Sequence, residues 1–357
     1  MNFFGQRWVW IGMSLICTLN AVSAYALVFY WGWSPLAFSA SAVLSTLLIA
    51  WAYVWHSYRV WKTHASTRNL NQSLQDALRE LHQQKDTEYK ELQVARKVHE
   101  GLLSLSDPQI PGILIASRCL PAQSLGGDFY AFLDRRGESL IKKSAQVGIV
   151  EYRGKEETTL GVIVGDVAGH GVSSALVMAL SNGLMTEMSK ATRSPAHLLA
   201  QANERIHHYI HASAIKYVTA FYGTLSVEAG KLRFAKAGYV CPFLIRADGT
   251  PVILEAEGIF LGMYPGETYD EKEVDLMPGD RLVLFTDGMT EVRNSNSEMF
   301  GEERLKDCLL GCRHLSVQAA VDFVFNTINT FSQHLPARDD QTLILIDYRP
   351  ASASLPA

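Results

Sequence analysis

Four acidic sites lie where solubility alone would not place them: Asp128 in Leu125-Gly126-Gly127-Asp128-Phe129-Tyr130, Asp166 after Val162-Ile163-Val164-Gly165, Asp287 after Val283-Leu284-Phe285-Thr286, and Asp339-Asp340 before Gln341-Thr342-Leu343-Ile344. Three of them abut strongly apolar runs. An ionised carboxylate beside a core strand is costly without a partner, and no Lys or Arg recurs to supply one for each. Carboxylates converging with flanking glycines suit a hard divalent cation, Mg2+ or Mn2+ rather than zinc, and two ions could share one bridging carboxylate. Any single Asp of this kind is more simply a strand-end cap or turn residue. The four together are not. Gly169-His170-Gly171 follows Asp166 directly, so the backbone can turn sharply there and bring amides and carbonyls to a metal. His170 has two readings, a catalytic group or a hydrogen-bond partner for a neighbouring loop.

These sites are held by short apolar runs punctuated by Gly, Asp and Pro. Ile113 to Cys119, Gly161 to Val164, Thr219 to Val227, Arg281 to Thr286 and Thr342 to Asp347 read as strands. Ser173 to Met188 and Pro195 to His211 read as helices, the first apolar nearly all round and so deeply packed. Strands with inserted helices, without strict alternation, point to a layered α+β domain over residues 106–348. Residues 349–357 are Ala, Ser and Pro and read as a loose tail.

The preceding third is different. From Trp8 to Tyr58 there is no Asp, Glu, Lys or Arg. At about 20 residues per span, this predicts a transmembrane helical hairpin over residues 1–62, with spans Trp8 to Tyr30 and Leu36 to Trp55 and a turn at Trp31-Gly32-Trp33-Ser34-Pro35. Ala24-Tyr25-Ala26 also has the form of a signal-peptide cleavage site, but the apolar run continues past it. Arg7, Arg59, Lys62 and Arg68 place both ends in the cytoplasm by the positive-inside rule, so the expected location is the inner membrane, multi-pass, with the following domain cytoplasmic. Residues 63–105 predict a helical linker. Leu74, Leu78, Leu81, Leu92, Ala95 and Leu102 fall on heptad a and d positions interrupted by Lys85, Glu88 and His99. Such a seam could pair two chains as a homodimer and pass on a change of register; a passive solvated spacer is the equal alternative.

Composition narrows the function. The 357-residue chain carries 32 Lys and Arg against 36 Asp and Glu, a formal charge of −4. Nothing in that balance suits a nucleic-acid partner. Cys17, Cys119, Cys241, Cys308 and Cys312 form no CxxC pair and read as packed thiols of a reducing compartment.

Several separated motifs then recur in a familiar order. Ala122 to Tyr130, Val164 to Ala175, Pro278 to Asn294, Phe300 to Leu305 and Arg338 to Thr342 resemble the bacterial PPM (protein phosphatase 2C-like) phosphatases, in the branch of the stage II sporulation and sigma-factor regulatory phosphatases. The resemblance covers about residues 91–348. It implies a β-sandwich of two antiparallel sheets flanked by helices, with two Mn2+ or Mg2+ ions at one end. By motif match, Asp166 would bridge the ions with help from the Val167 carbonyl. Asp287 and Asp339 would hold one ion, and Asp128 would serve the other directly or through water; Asp340 neighbours the matched position. Water activated by the ions would attack phosphorus in line, with no covalent phosphoenzyme. The implied substrate is phosphoserine or phosphothreonine on a cytoplasmic regulator such as an anti-sigma-factor antagonist.

Three departures stand out. The stretch between Asp128 and Asp166 is long, so residues 135–159 predict an extended hairpin or flap. Ala237-Gly238-Tyr239-Val240-Cys241-Pro242 stands where relatives have Ala-Gly-His-Pro. Ala168 stands where eukaryotic relatives carry a histidine, which leaves the general acid open between His170 and water. A catalytically silent phosphatase-like module is the main rival. A sensor histidine kinase, suggested by the hairpin, the linker and His99-Glu100, lacks an ATP-binding glycine loop and leaves Asp287 and Asp339 unexplained. His207, His208 and His211 read as an exposed helix face rather than a metal trio, since Glu204 and Arg205 lie beside them.

Overall fold

A computed structural model describes residues 14, 18, 19, 21–23, 25, 26, 29, 35–103, 107–133, 158–169, 171–192, 194–213 and 215–350. His170, most of the predicted flap at 135–159 and the tail beyond residue 350 lie outside the described residues. The chain divides into two compact units, Met1–Glu88 and Tyr89–Ala357.

Helix α1 runs from Pro35–Leu102. In the first unit its leucines Leu74, Leu78 and Leu81 are exposed. The transmembrane hairpin, and with it the multi-pass membrane location, is overturned here. Among the described residues no helix is long and apolar enough to cross a membrane. The second expected span is no separate element; it opens a single long helix whose later residues are polar. Freedom from charge was the misleading signal, because the apolar run passes without a break into a helix that soon carries His56, Arg59 and Lys62. The first expected span falls largely outside the described residues.

The second unit is built from two five-stranded antiparallel sheets. One has the order β1 (Ile113–Leu120), β10 (Gln341–Tyr348), β9 (Arg281–Phe285), β6 (Phe243–Ile245), β7 (Pro251–Ile253). The other has the order β2 (Phe129–Leu133), β3 (Thr159–Val167), β4 (Val218–Ser226), β5 (Lys231–Ala237), β8 (Lys272–Asp275). Alternation along each strand separates two faces. Phe132, Val162, Val164, Phe221, Leu284, Ile344 and Ile346 point into the core between the sheets. The opposite face of the second sheet (Phe129, Ile163, Val167) is covered by α2 (Val172–Met188) and α3 (Pro195–Ile210). The opposite face of the first (Val283, Phe285, Leu343, Leu345) is covered by α4 (Gly301–Gly311) and α5 (Val317–Phe331). Both faces being buried explains why β3, β9 and β10 read as continuous apolar runs. The expected two-sheet α+β sandwich flanked by helices is the observed fold.

Local signals agree with this layering. Ser194 caps α3 by accepting from the His197 amide at 3.2 Å, with Pro195 in the first turn. Ser316 caps α5 in the same way through Ala319. Leu198, Leu199, Ala202, Ile206 and Ile210 form the buried stripe of α3. The one fully buried ion pair, among the described residues, joins β9 to β10: Arg281 donates to both carboxylate oxygens of Asp347 at 2.6 and 3.0 Å. Cys308 lies in α4 and Cys312 is buried at its end; neither is in a disulfide.

Candidate functional site

Antiparallel pairing decides where the acidic residues meet. Phe129 at the start of β2 pairs with Gly165 near the end of β3, so Asp128 and Asp166 lie at the same sheet end. Phe285 at the end of β9 pairs with Leu343 near the start of β10, and the Thr286 amide donates to the Thr342 carbonyl. That places Asp287 beside Asp339 and Asp340. Four chain segments, separate in sequence, thus deliver their carboxylates to one end of the sandwich.

Glycines make the approach possible. A Cβ on Gly127 would stand 2.8 Å from the Val167 carbonyl oxygen and 3.1 Å from Asp166 Oδ1. On Gly288 it would strike the Asp340 carbonyl oxygen, and on Gly165 the Phe129 ring. Gly169 and Gly171 both hold positive φ, 98° and 85°, which only glycine adopts freely. They flank residue 170, whose placement is outside the described set.

Asp128 is fully buried, yet only half satisfied. Thr286 Oγ1 and Thr342 Oγ1 both donate to its Oδ2, at 2.7 and 2.6 Å. Its Oδ1 is buried with no hydrogen-bond partner. Burial, and then the nearby Asp166 carboxylate, push the Asp128 carboxyl well above the ordinary range. Asp166 is raised to about 7, by burial first and then by the Asp287, Asp339 and Asp340 charges. Asp287 is raised by burial and by Glu291. The acids therefore repel one another, an arrangement that a cation among them would relieve.

Asp340 plays another part. Its Oδ1 accepts from the Ala122 amide at 2.7 Å, and its Oδ2 accepts from the amides of Gly127 and Asp128 at 2.6 and 3.4 Å. This carboxylate is spent on clasping the loop that carries Asp128. Its own amide donates to Asp339 Oδ1 at 2.9 Å. From the other side of the loop, the buried His99 near the end of α1 sets Nε2 at 2.9 Å from the Gly126 carbonyl. A carbonyl only accepts, so Nε2 carries the proton. Tyr239, the departure from the histidine of relatives, is buried and donates to the Phe285 carbonyl at 2.5 Å, tying down the end of β9 next to Asp287.

Among the described residues no three His, Cys, Asp or Glu side chains form a ready-made cage. The residues nevertheless fit a divalent cation: an orphaned buried carboxylate oxygen, mutually repelling carboxylates, and a glycine that leaves the Val167 carbonyl open beside Asp166. Of the residues singled out in the sequence, Asp128, Asp166, Val167, Asp287 and Asp339 are brought together. His207 and His211 are not near them; their Nδ1 atoms face backbone carbonyls, Gly262 for His207 and His207 and His208 for His211.

A family model for stage II sporulation protein E (SpoIIE) matches residues 156–349, more than half of the chain. The chain belongs to the SpoIIE family. This SpoIIE-family chain is 27% identical over 261 residues to the phosphoserine phosphatase RsbU of Bacillus subtilis, covering 72% of this chain and 69% of RsbU. It is 26% identical over 206 residues to the phosphoserine phosphatase RsbP of the same organism, a match that spans 57% of this chain but only 45% of RsbP. Among solved structures, the SiaA-PP2C domain of Pseudomonas aeruginosa superposes with a TM-score of 0.59 at 21% identity, over 74% of this chain and 98% of that domain. The SpoIIE-family sandwich described above is therefore of the PP2C type.

Proposed function

We propose that the chain is a metal-dependent protein serine/threonine phosphatase acting on phosphoserine or phosphothreonine of a regulatory protein. The enzyme class follows from the family, from the PP2C fold and from relatives named phosphoserine phosphatases. One observation carries the chemistry: carboxylates from four segments converge at one sheet end, where Asp128 keeps a buried oxygen without a partner.

In this reading Asp166, the Val167 carbonyl, Asp128, Asp287 and Asp339 hold two Mn2+ or Mg2+ ions. When bound, such ions supply an acidified water as nucleophile and offset charge on the phosphoryl oxygens. The chain's own residues do the positioning. Thr286 and Thr342 hold Oδ2 of Asp128 so that Oδ1 is presented to the site. Asp340 and His99 fix the Gly126-Gly127-Asp128 loop from its two sides. His170 would act as a proton donor to the leaving group. Kinship with RsbU supports a phosphorylated anti-sigma-factor antagonist as substrate, and the exposed leucines of α1 support a homodimer through that helix.

The test is release of phosphate from a phosphoserine peptide with Mn2+, Mg2+ or chelator, for wild type and Asp166→Asn. Turnover should need the cation and fall by orders of magnitude in the variant. Metal-independent turnover, or a fully active Asp166→Asn chain, would refute the mechanism.

A further inference from the structure

A cleft of about 840 Å³ opens beside the carboxylates, between the turn after β9, the C-terminal half of α5 and the segment leading into β10. Gly288 and Asp339 line it, so it reaches the acidic cluster directly. Its charge is of the opposite kind. Arg118, Arg293 and Arg338 line it, against the two acids Glu291 and Asp339.

The three arginines differ in what already holds them. Arg118 is paired with Asp322 and lies over the Phe325 ring, 5.0 Å from its centre. Arg293 Nη1 donates to the Ser297 carbonyl at 2.8 Å. Arg338 is exposed and, among the described residues, makes no hydrogen bond or ion pair, although it directly precedes two aspartates. A guanidinium left uncommitted at the edge of a carboxylate cluster is matched to a doubly charged, three-oxygen group, which it can grip in bidentate fashion. The cleft has the size of a site that takes an extended segment or a drug-sized ligand.

Resting on the phosphatase reading above, the geometry points to this cleft as the seat of the phosphorylated substrate segment, with Arg338 gripping the phosphoryl oxygens. Arg293 and Arg118 then face the residues flanking the phosphoserine. Glu291 disfavours acidic residues at the flank nearest Asp287, which it already repels.

Steady-state kinetics of the full chain with Mn2+ test this, using a phosphoserine peptide and p-nitrophenyl phosphate as substrates. Arg338→Ala should raise KM tenfold or more for both, with kcat and the Mn2+ half-saturation changed less than threefold; Arg338→Lys should recover part of the loss. Leu335→Trp, which narrows the same cleft, should raise KM for the peptide. Unchanged KM in Arg338→Ala, or a change confined to Mn2+ half-saturation, overturns the assignment while leaving the phosphatase reading intact. Should wild type prove inert, that reading fails instead, and anisotropy of a labelled phosphopeptide then decides the cleft: weakened binding in Arg338→Ala upholds it and equal binding overturns it.

Discussion

Asp339 and Asp340 are neighbours with opposite duties, and exchanging each for asparagine separates them. Asp340 accepts three backbone amides through two oxygens. An asparagine keeps one oxygen and turns an amide donor towards either Ala122 or Gly127, donor against donor. A hydrogen bond to a charged acceptor is worth roughly 1.5–3 kcal/mol, and a buried donor left unmatched costs about as much again. Asp340→Asn should therefore destabilise the cation-free chain by about 3 kcal/mol, or roughly 6–12 °C in Tm for a domain of this size. Because the same loop carries Asp128, activity should fall as well. Asp339→Asn keeps an oxygen for the Asp340 amide and removes one of the charges that repel Asp166. Its loss of stability should be smaller than that of Asp340→Asn, while its Mn2+ half-saturation rises at least about tenfold. Urea denaturation without cation and Mn2+ titration of turnover measure the two. Equal stability of both variants, or an unchanged Mn2+ half-saturation in Asp339→Asn, would refute the division of labour.

Three further outcomes follow from the same geometry. The raised carboxyls of Asp166, near 7, and of Asp128 mean that the folded chain without cation binds more protons than the unfolded chain, whose aspartates titrate near 3.9. Its stability should fall as pH climbs from about 4 to about 7, and added Mn2+ should reverse that fall; thermal melts that are flat over this window would contradict it. Gly127→Ala forces a methyl against the Val167 carbonyl, so cation affinity should drop with a stability cost of about 1–3 kcal/mol, read by calorimetric Mn2+ titration. His99→Ala leaves the Gly126 carbonyl without its donor, which should cost about 1–3 kcal/mol in urea melts; no change would show that water replaces the ring freely.

The acids were legible in the sequence because each interrupts or ends an apolar run, and a charge beside a core strand demands a reason. Antiparallel pairing, which composition does not reveal, then decides that all of them share one end. The duties of Asp340, Thr286 and Thr342 were illegible because they depend on which atoms of the distant loop at residues 122–128 come to rest against the ends of β9 and β10. Strand β2 escaped notice because Phe129 to Leu133 is wholly buried and shows no alternation. Strands β6, β7 and β8 are too short to leave a pattern. Helix α5 does carry a helical period, in Val317, Ala320, Val321, Val324 and Ile328, that the reading of the motifs passed over. The uncharged run near the start predicts a separate span, whereas the helix that contains its second half continues unbroken into polar residues as far as Leu102.

The position of β10 bears on how the molecule comes into being. It follows the other nine strands among the described residues, yet it is seated between β1 and β9 as an inner plank of its sheet, and the segment entering it brings Asp339, Asp340 and Thr342. During synthesis the nascent polypeptide must wait with that slot open, and the proposed hydrolytic centre cannot form until residues near 348 have left the ribosome. Premature termination anywhere before β10 should yield fragments with no residual turnover rather than weakened enzymes.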